Sequence, residues 1–255
     1  MKYKSIALQF KDHFSKQSDT YVKFRPTYPD EIFSFLSSLC PEHNLAWDCA
    51  TGNGQAANGL TNYFKRIIAT DASEMQLSNA KRHERIEYKI ALAEDSGIPS
   101  ASVDLITVAA AVHWFDHDKF YKEVNRVLKP NGVIAAWTYN NPTVNPAVDA
   151  VMEKLHQGIL KEYWPKESWL VINRYKDIPF PFERIKTPDF YCTKQMDLEG
   201  MEGHYLSWSA TQRYIDATGK NPVDEVKKEL TQAWGDPSEI KTVTWDLTFL
   251  VGRKT

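Results

Sequence analysis

A turn rich in small residues and a distant aspartate are the features of this sequence best suited to bind a ligand. An apolar run ends in Asp48, and small residues then recur at Ala50, Gly52 and Gly54. A strand, a tight turn and a helix start in this order let the backbone approach a ligand closely, with helix N–H groups directed at it. Asp71 ends a second apolar run, where a carboxylate can accept hydrogen bonds from both ribose hydroxyls. Together these residues predict a site for a nucleoside-containing cofactor.

The spacing of the turn distinguishes between two classes of such cofactors. Dinucleotide-binding enzymes use a G-x-G-x-x-G pattern, which places a pyrophosphate at the helix terminus. Here the order is small-x-Gly-x-Gly, and Asp48 lies two residues before the first small position. An acid so close to the turn would repel a pyrophosphate but suits a ligand with an ammonium or sulfonium group. An ordinary strand-to-helix turn without a ligand is the alternative, and Asp71 argues against it.

Composition and charge are typical of a water-soluble globular protein. The 255 residues fit one large domain, with 42% hydrophobic and 25% charged residues. A net charge of -2 gives no reason to expect nucleic acid as a partner. The three cysteines are widely spaced, and the N-terminal residues contain no apolar segment long enough for a signal peptide or membrane span. We therefore expect a cytoplasmic protein with no membrane partner, and its oligomeric state stays open.

Alternating strands and helices are expected to position the turn and Asp71. Strands are predicted at 45–49, 66–70, about 86–91, 103–109 and 133–137, and helices at about 55–64, 74–83 and before 129–132. The helix signals include a capping box from Ser73 to Gln76 and a cap at Asp116 or Asp118. This alternation predicts an α/β protein with a parallel sheet covered by helices on both faces.

The pattern changes after residue 140. A helix is predicted from Asn145-Pro146, with five apolar side chains facing inward: Val148, Val151, Met152, Leu155 and Ile159. An irregular region at 163–182 is followed by a strand at about 182–192, short helices over 197–218, a helix that ends before Gly235, and a strand at about 240–251. We expect one domain, 1–255, made up of an N-terminal arm and helix (1–40), a cofactor-binding core (41–140), a helical cap and acceptor region with one core strand (141–239) and the last strand (240–255).

Residues 45–139 resemble the cofactor-binding half of the class I S-adenosylmethionine-dependent methyltransferases of the type 11 family. Ala50, Gly52 and Gly54 match the glycine loop of that family, Asp71 matches its ribose-binding acid, and 124–132 match its helix-to-strand signature. Two flanking pairs, Tyr28-Pro29 and Trp208-Ser209, suggest the narrower trans-aconitate methyltransferase-like subgroup.

The resemblance implies a fold, a cofactor and a reaction. The fold is a Rossmann-like, doubly wound sheet of seven mostly parallel strands with an antiparallel last strand, capped by helices from the N-terminal arm and the C-terminal half. The implied cofactor is S-adenosyl-L-methionine, with S-adenosyl-L-homocysteine as its product. The implied activity is methyl transfer to a small-molecule acceptor.

The resemblance also implies a set of cofactor-binding residues around the turn and the neighbouring strand ends. They are Arg25, Asp48, Ala50, Gly52, Asn53, Gly54, Gln55, Asp71, Ala72, Ser73, Gln76, Ala93, Glu94, Ala109, Ala110 and Trp114. For the small polar residues, a helix cap or a solvated group is the alternative. Ala50 replaces the first glycine of the family, and because alanine does not readily take a positive φ, we expect the turn to avoid left-handed backbone there.

Acceptor-binding residues are expected beyond the carboxyl ends of the strands, where ligands bind in open α/β sheets. Three alanines, 109–111, leave space there, and His113 and Trp114 follow directly. His113 is predicted to orient the acceptor; the alternatives are a structural histidine and, for Trp114, core packing. His113 and His117 have i, i+4 spacing but no further ligands, so no metal site is expected. The predicted acceptor-binding residues are Tyr28, Trp137, Tyr139 and Trp208.

The favoured reaction is O-methylation of a carboxylate or similar metabolite, because a carboxylate acceptor needs no general base. One alternative is a nicotinamide-dependent Rossmann oxidoreductase, NAD(P) being its cofactor. Short-chain reductases use Tyr-x-x-x-Lys, and no tyrosine of this chain has a lysine four residues later. The other alternative is a non-catalytic S-adenosylmethionine-binding regulatory protein. The aromatic-rich second half of the chain favours an acceptor pocket over a bare interaction surface.

Overall fold

A mixed β-sheet with helices on both faces forms the centre of the molecule in a computed structural model that describes residues 24–255. Most of the predicted N-terminal arm, residues 1–23, lies outside the described residues. The strands are β1 (Leu45–Cys49), β2 (Arg66–Asp71), β3 (Ile86–Ile90), β4 (Val103–Ala109), β5 (Leu128–Tyr139), β6 (Glu183–Arg184), β7 (Tyr191–Met196) and β8 (Lys241–Arg253).

Short helices connect most of the strands, and a larger helical region follows β5. The helices are α1 (Asp30–Ser38), α2 (Gln55–Leu60), α3 (Glu74–Ser78), α4 (His117–Val127), α5 (Pro146–Glu153), α6 (Ser168–Ile172), α7 (Leu198–Leu206), α8 (Ser209–Thr218) and α9 (Pro222–Trp234), with 3-10 turns at Val112–Trp114 and Lys161–Tyr163 and a π-helix at Lys154–Ile159. Across residues 24–255, none of the helices has both the length and the apolar character that crossing a bilayer requires.

The strand order places a crevice between β1 and β4. Along the sheet the order is β3-β2-β1-β4-β5-β8-β6, and β7 pairs with β8. The first five strands are parallel and β8 is antiparallel to β5, so the predicted Rossmann-like fold with an antiparallel last strand is confirmed. The described sheet has eight strands rather than seven, because the segment predicted as one strand at 182–192 forms two separate strands, β6 and β7. Ligands of such sheets bind where the strand order reverses, here between β1 and β4.

Apolar layers cover both faces of the sheet. Residues 103–108 of β4 are all buried, as expected for a central strand that contacts helices on both sides. α4 packs on one face through Phe120 and Val124, and α1 packs on the other through Ile32 and Leu36. These layers hold the carboxyl ends of the strands at a fixed spacing.

Several predicted element bounds are wrong, among them those of α2, α3 and β5, and the region predicted as irregular at 163–182 contains the helix α6. α2 ends at Leu60, where the hydroxyl of Thr61 donates a hydrogen bond to the carbonyl of Asn58 at 2.7 Å. α3 ends at Ser78, because Leu77 is its one buried side chain and little apolar contact supports a longer helix. β5 begins at Leu128, directly after α4, rather than at Val133.

The helix predicted from Asn145-Pro146 widens into the π-helix at its end. The Leu160 amide donates to the carbonyl of Leu155, five residues earlier, at 2.9 Å. Leu155 and Leu160 are fully buried, His156 is 3% exposed, and Ile159 is only partly buried. Ile159 still packs against the apolar cluster around Leu155, as predicted, and the wider turn adds His156 to the buried positions.

Candidate active site

The turn after β1 has left-handed backbone at three alternate residues. The φ angles are 53° at Ala50, 57° at Gly52 and 82° at Gly54. The expectation that Ala50 avoids this region is wrong. The turn is held from outside, since the buried Thr51 donates its amide to the carbonyl of Thr70 at 2.9 Å. The strain of an alanine there is of the order of 1–2 kcal/mol, which the surrounding contacts offset.

Asp71 joins this turn to the start of α3. Its carboxylate accepts hydrogen bonds from the backbone amides of Gly52 at 2.8 Å and Ser73 at 2.9 Å. The Ser73 hydroxyl caps α3 by accepting from the Gln76 amide at 3.3 Å, which confirms the predicted cap. A Cβ on Gly52 would meet nothing closer than the Gln76 side-chain oxygen, at 3.9 Å. The space above this glycine is therefore bordered by polar groups that can hold a ligand.

Gly54 and Tyr88 form the outer wall of the same crevice. A Cβ on Gly54 would overlap the hydroxyl oxygen of Tyr88, and a φ of 82° also favours glycine at this position. Gln55 donates its side-chain amide to the carbonyl of Pro26 at 3.3 Å, which links α2 to the segment before α1. Asn53 and Ala72 lie half-buried nearby.

Ala93 and Glu94, predicted near the adenine edge, follow β3. Ala93 packs in the core beside β4. The Glu94 carboxylate accepts from the Asp116 amide at 3.1 Å, next to the start of α4. Asp116 is the residue that caps α4, accepting from the Lys119 amide.

Asp48 lies beneath the turn and is fully buried. Its carboxylate accepts hydrogen bonds from the hydroxyls of Thr51 at 2.5 Å and Thr107 at 2.7 Å. Burial raises the pKa of Asp48 to about 6, although the two threonines act in the opposite direction. Asp48 therefore supports the turn from below, and its carboxylate is buried rather than exposed at the crevice.

Asp48→Asn should gain stability relative to the wild type as the pH rises. Because burial raises the folded pKa from 3.8 to about 6, the favourable contribution of protonated Asp48 is present below pH 3.8 and is lost as the pH rises through about 6. Asparagine does not ionise, so the difference in free energy of unfolding, variant minus wild type, should increase by about 2.4 kcal/mol between pH 4 and 8. Urea unfolding at each pH measures this difference in free energy, and the exposed substitution Glu74→Gln serves as the control. A difference that does not change with pH would contradict this account.

A cavity of about 370 Å³ lies beside the carboxyl ends of β4 and β5. This is the size and position of a small-molecule site in an α/β protein. Among its lining residues, the sequence had pointed to Arg25, Ala110, His113, Trp114, Tyr139 and Trp208. Sequence reasoning missed His156, Trp164, Arg174, His204, Trp245 and Asp246. The cavity wall is therefore aromatic, with several imidazoles and two guanidinium groups.

His113 lies in the 3-10 turn after β4 and is 8% exposed. Its Nδ1 is 3.1 Å from the hydroxyl oxygen of Tyr175. Burial lowers the pKa of His113 to about 3, so the ring is neutral at physiological pH. Because Nδ1 is bonded to Tyr175, Nε2 is the nitrogen that can face a ligand.

Two adjacent residues with left-handed backbone follow α6, Arg174 with φ 54° and Tyr175 with φ 55°. Strain of this kind costs of the order of 1–3 kcal/mol per residue and clusters at functional sites. Here it places the Tyr175 hydroxyl against His113 and the Arg174 guanidinium at the cavity, where Nη1 lies 2.6 Å from Oδ2 of Asp246.

Three of the predicted site residues lie elsewhere than expected. Arg25, predicted to bind cofactor, lines the cavity beside β4 and β5 and donates hydrogen bonds to the Tyr139 hydroxyl at 3.1 Å and the Ser207 carbonyl at 3.0 Å. Trp137 is fully buried, 5.4 Å from the ring of Tyr28, and neither of these two borders the cavity. Trp137 precedes the end of β5 by two residues, which places it under α1 and away from the strand end.

Residues 24–255 contain no group of three or more histidine, cysteine, aspartate or glutamate side chains placed to bind a metal ion.

Comparison with known proteins gives one consistent family. Residues 47–136 match the family described as "Methyltransferase domain". A Dictyostelium discoideum protein named as a methyltransferase is 37% identical over 254 residues, covering 96% of this chain and 96% of that protein. A Saccharomyces cerevisiae protein named as an S-adenosylmethionine-dependent methyltransferase is 30% identical over 162 residues, 59% of this chain and 55% of that protein. A solved structure from Anaeromyxobacter dehalogenans, described as a type II methyltransferase, is 40% identical and superposes with a TM-score of 0.85, covering 90% of this chain and 98% of that chain.

Proposed function

This chain belongs to the class I S-adenosylmethionine-dependent methyltransferase family, and on that premise we propose that it methylates a carboxylate oxygen of a small molecule bound in the cavity beside β4 and β5. The cofactor is S-adenosyl-L-methionine, so a nicotinamide cofactor is not needed. The observation that carries the proposal is the cavity itself: about 370 Å³, aromatic, and bordered by Ala110 and His113 at the end of β4.

The residues of the crevice fit this cofactor. Asp71 stands beside the open space above Gly52 and has carboxylate oxygens that can each accept more than one hydrogen bond, as a ribose diol requires. Gly52 and Gly54 let the backbone approach the amino-acid end of the cofactor without a Cβ in the way. When bound, the cofactor supplies a methyl group on a sulfonium, already activated for displacement.

In the proposed arrangement, Ala110 lies between the cofactor and the acceptor. It follows β4 with φ 53°, donates its amide to the Trp137 carbonyl at 2.7 Å, and borders the cavity with its small side chain. Ala110 therefore turns the chain at the end of β4, and its small side chain leaves space in which the methyl group of the cofactor can reach the acceptor. Aligning the two in a water-poor site can supply about 7–11 kcal/mol of barrier reduction.

His113 acts on the acceptor as a neutral hydrogen-bonding group. A pKa near 3 makes this imidazole a poor base, and a carboxylate acceptor needs none, because it is already ionised. If the Tyr175 hydroxyl donates to Nδ1, the neutral ring carries its proton on Nε2 and can donate it to a carboxylate oxygen. Arg25 and Arg174 line the same cavity together with Glu153 and Asp246. Because Arg174 pairs with Asp246 at 2.6 Å, Arg25 is the guanidinium that would favour an anionic acceptor.

The proposed reaction has a specific chemical signature. The protein is incubated with methyl-labelled S-adenosylmethionine and a panel of small carboxylic acids, and the products are treated with mild base. A methyl ester releases its label as volatile methanol, whereas methyl ethers and methylamines do not. We expect base-labile label that requires both the acid and the protein. Base-stable label would overturn the carboxylate assignment, and the absence of any labelled small molecule would overturn the proposed function.

A further inference from the structure

His156 is placed against the acceptor cavity by the π-helix that follows α5. Segments of π-helix are rare and occur frequently at functional sites. The wider turn brings His156 inward beside Leu155, so that both are buried and His156 lines the cavity.

Two tryptophans hold the His156 ring in place. The ring centroid of Trp164 lies 4.6 Å from that of His156, and the ring centroid of Trp208 lies 5.4 Å away at an interplanar angle of 87°. The indole N–H of Trp164 also donates to the backbone carbonyl of His156 at 3.0 Å. Both tryptophans line the same cavity. The imidazole is thus packed against aromatic rings, with its orientation fixed before any ligand arrives.

The polar atoms of this ring have no hydrogen-bond partner among residues 24–255. Nδ1 is buried without a hydrogen bond, and neither ring nitrogen bonds to another group in the described part of the chain. A buried polar atom left unpaired costs about 1–3 kcal/mol, and native structures rarely keep one without a reason. A ligand that supplies the missing partner recovers this energy.

We infer that His156 is a specificity-determining residue of the acceptor site, which hydrogen-bonds a neutral oxygen of the acceptor, a hydroxyl or a carbonyl, away from the methylated carboxylate. The inference rests on the proposed function, which makes this cavity the acceptor site. His156 lies on the helical side of the cavity, after β5, whereas His113 follows β4. An acceptor that spans the cavity therefore meets a polar group at each of these two positions.

The surroundings of His156 favour a neutral partner over a second carboxylate. The ring contacts tryptophans, and burial lowers its pKa to about 4, so at neutral pH it carries no charge to compensate an anion. A neutral imidazole offers one donor and one acceptor, which match a hydroxyl group. An ionised carboxylate in this aromatic environment would lose its hydration without gaining a countercharge.

Binding to the protein saturated with S-adenosylhomocysteine tests the inference without requiring methyl transfer. The probes are benzoate, 3- and 4-hydroxybenzoate and benzene-1,4-dicarboxylate, and isothermal titration calorimetry gives each Kd. We expect the better hydroxybenzoate to bind the wild type at least about tenfold more tightly than benzoate or the dicarboxylate. His156→Phe, which keeps the ring shape, should bring the ratio of the benzoate Kd to the hydroxybenzoate Kd close to one. His156→Asn, whose amide can occupy the Nδ1 position, should keep most of it.

Controls separate this role from folding and from the reaction. His83→Phe makes the same change at an exposed position outside the cavity and should bind all the probes as the wild type does. The thermal unfolding midpoint and the S-adenosylhomocysteine Kd of each variant report on folding. The inference is overturned if no hydroxybenzoate is preferred, or if the preference survives in His156→Phe. A preference that depends on His156, together with no methyl ester formation, would instead overturn the proposed reaction and leave the His156 contact standing.

Discussion

Asp71→Ala should weaken the binding of S-adenosylhomocysteine by at least about 100-fold, or about 2.7 kcal/mol. The wild-type carboxylate accepts hydrogen bonds from the amides of Gly52 and Ser73 at 2.8 and 2.9 Å, and so sets the positions of the turn and of α3. Each hydrogen bond to a charged group contributes about 1.5–3 kcal/mol. The variant loses both the expected ribose contacts and the link between the two elements. Isothermal titration calorimetry measures the change.

Two further variants show whether the carboxylate itself is responsible. Asp71→Asn keeps the size of the side chain and one acceptor oxygen, so its loss should be smaller than that of Asp71→Ala. Glu74→Ala removes an exposed carboxylate in the first turn of α3 and should bind as the wild type does. Circular dichroism confirms that each variant is folded. A folded Asp71→Ala protein that binds within threefold of the wild type would contradict the assigned role.

His113→Ala should lower kcat by about 100-fold while the cofactor Kd stays within about twofold, because misplacing an acceptor by about 1 Å costs this much in rate. His113 borders the cavity, and its bond to Tyr175 fixes the direction of the ring. Steady-state kinetics with a methylated acid, together with calorimetry for the cofactor, measure both quantities. Because the pKa of His113 is about 3, the wild-type kcat should show no histidine titration between pH 6 and 8.

Graded variants distinguish orientation from general damage to the cavity. Tyr175→Phe removes the hydroxyl that contacts Nδ1 and should lower kcat by a smaller factor than His113→Ala, since the ring stays but its tautomer is no longer fixed. His83→Ala, a matched change at an exposed histidine, should leave kcat unchanged. A His113→Ala enzyme with normal kcat and weakened cofactor binding would show that His113 belongs to the cofactor site instead.

The sheet could be predicted because its signals are local. The unbroken apolar run of β4 indicates a strand buried on both faces, and residues 124–132 mark the end of a helix before the next strand. The left-handed backbone of Ala50 could not be predicted, because alanine disfavours it and the contacts that enforce it come from β2. The two strands β6 and β7 could not be separated for a similar reason, since each is defined by its pairing with a different part of β8.

The sequence could predict the site residues that directly follow a strand. It could not predict those whose positions depend on packing between helices. His113 and Trp114 follow β4 directly, and both border the cavity. Trp137 was chosen for its residue type, but its position before the strand end places it in the core. His156 gives no sequence signal, because an ordinary helical period describes the predicted inward positions from 148 to 159, whereas the helix widens into the π-helix from Lys154 onward. The binding and catalytic roles of individual residues, the domain division and the trans-aconitate methyltransferase-like subgroup stay predictions.

The most direct test of this account is a crystal structure of the protein with S-adenosylhomocysteine. We expect the ribose hydroxyls within hydrogen-bond distance of the Asp71 carboxylate, the amino-acid end over the turn at Gly52 and Gly54, and the sulfur directed past Ala110 toward the cavity that holds His113. A ligand bound away from this crevice, or one whose sulfur points away from the cavity, would contradict the account.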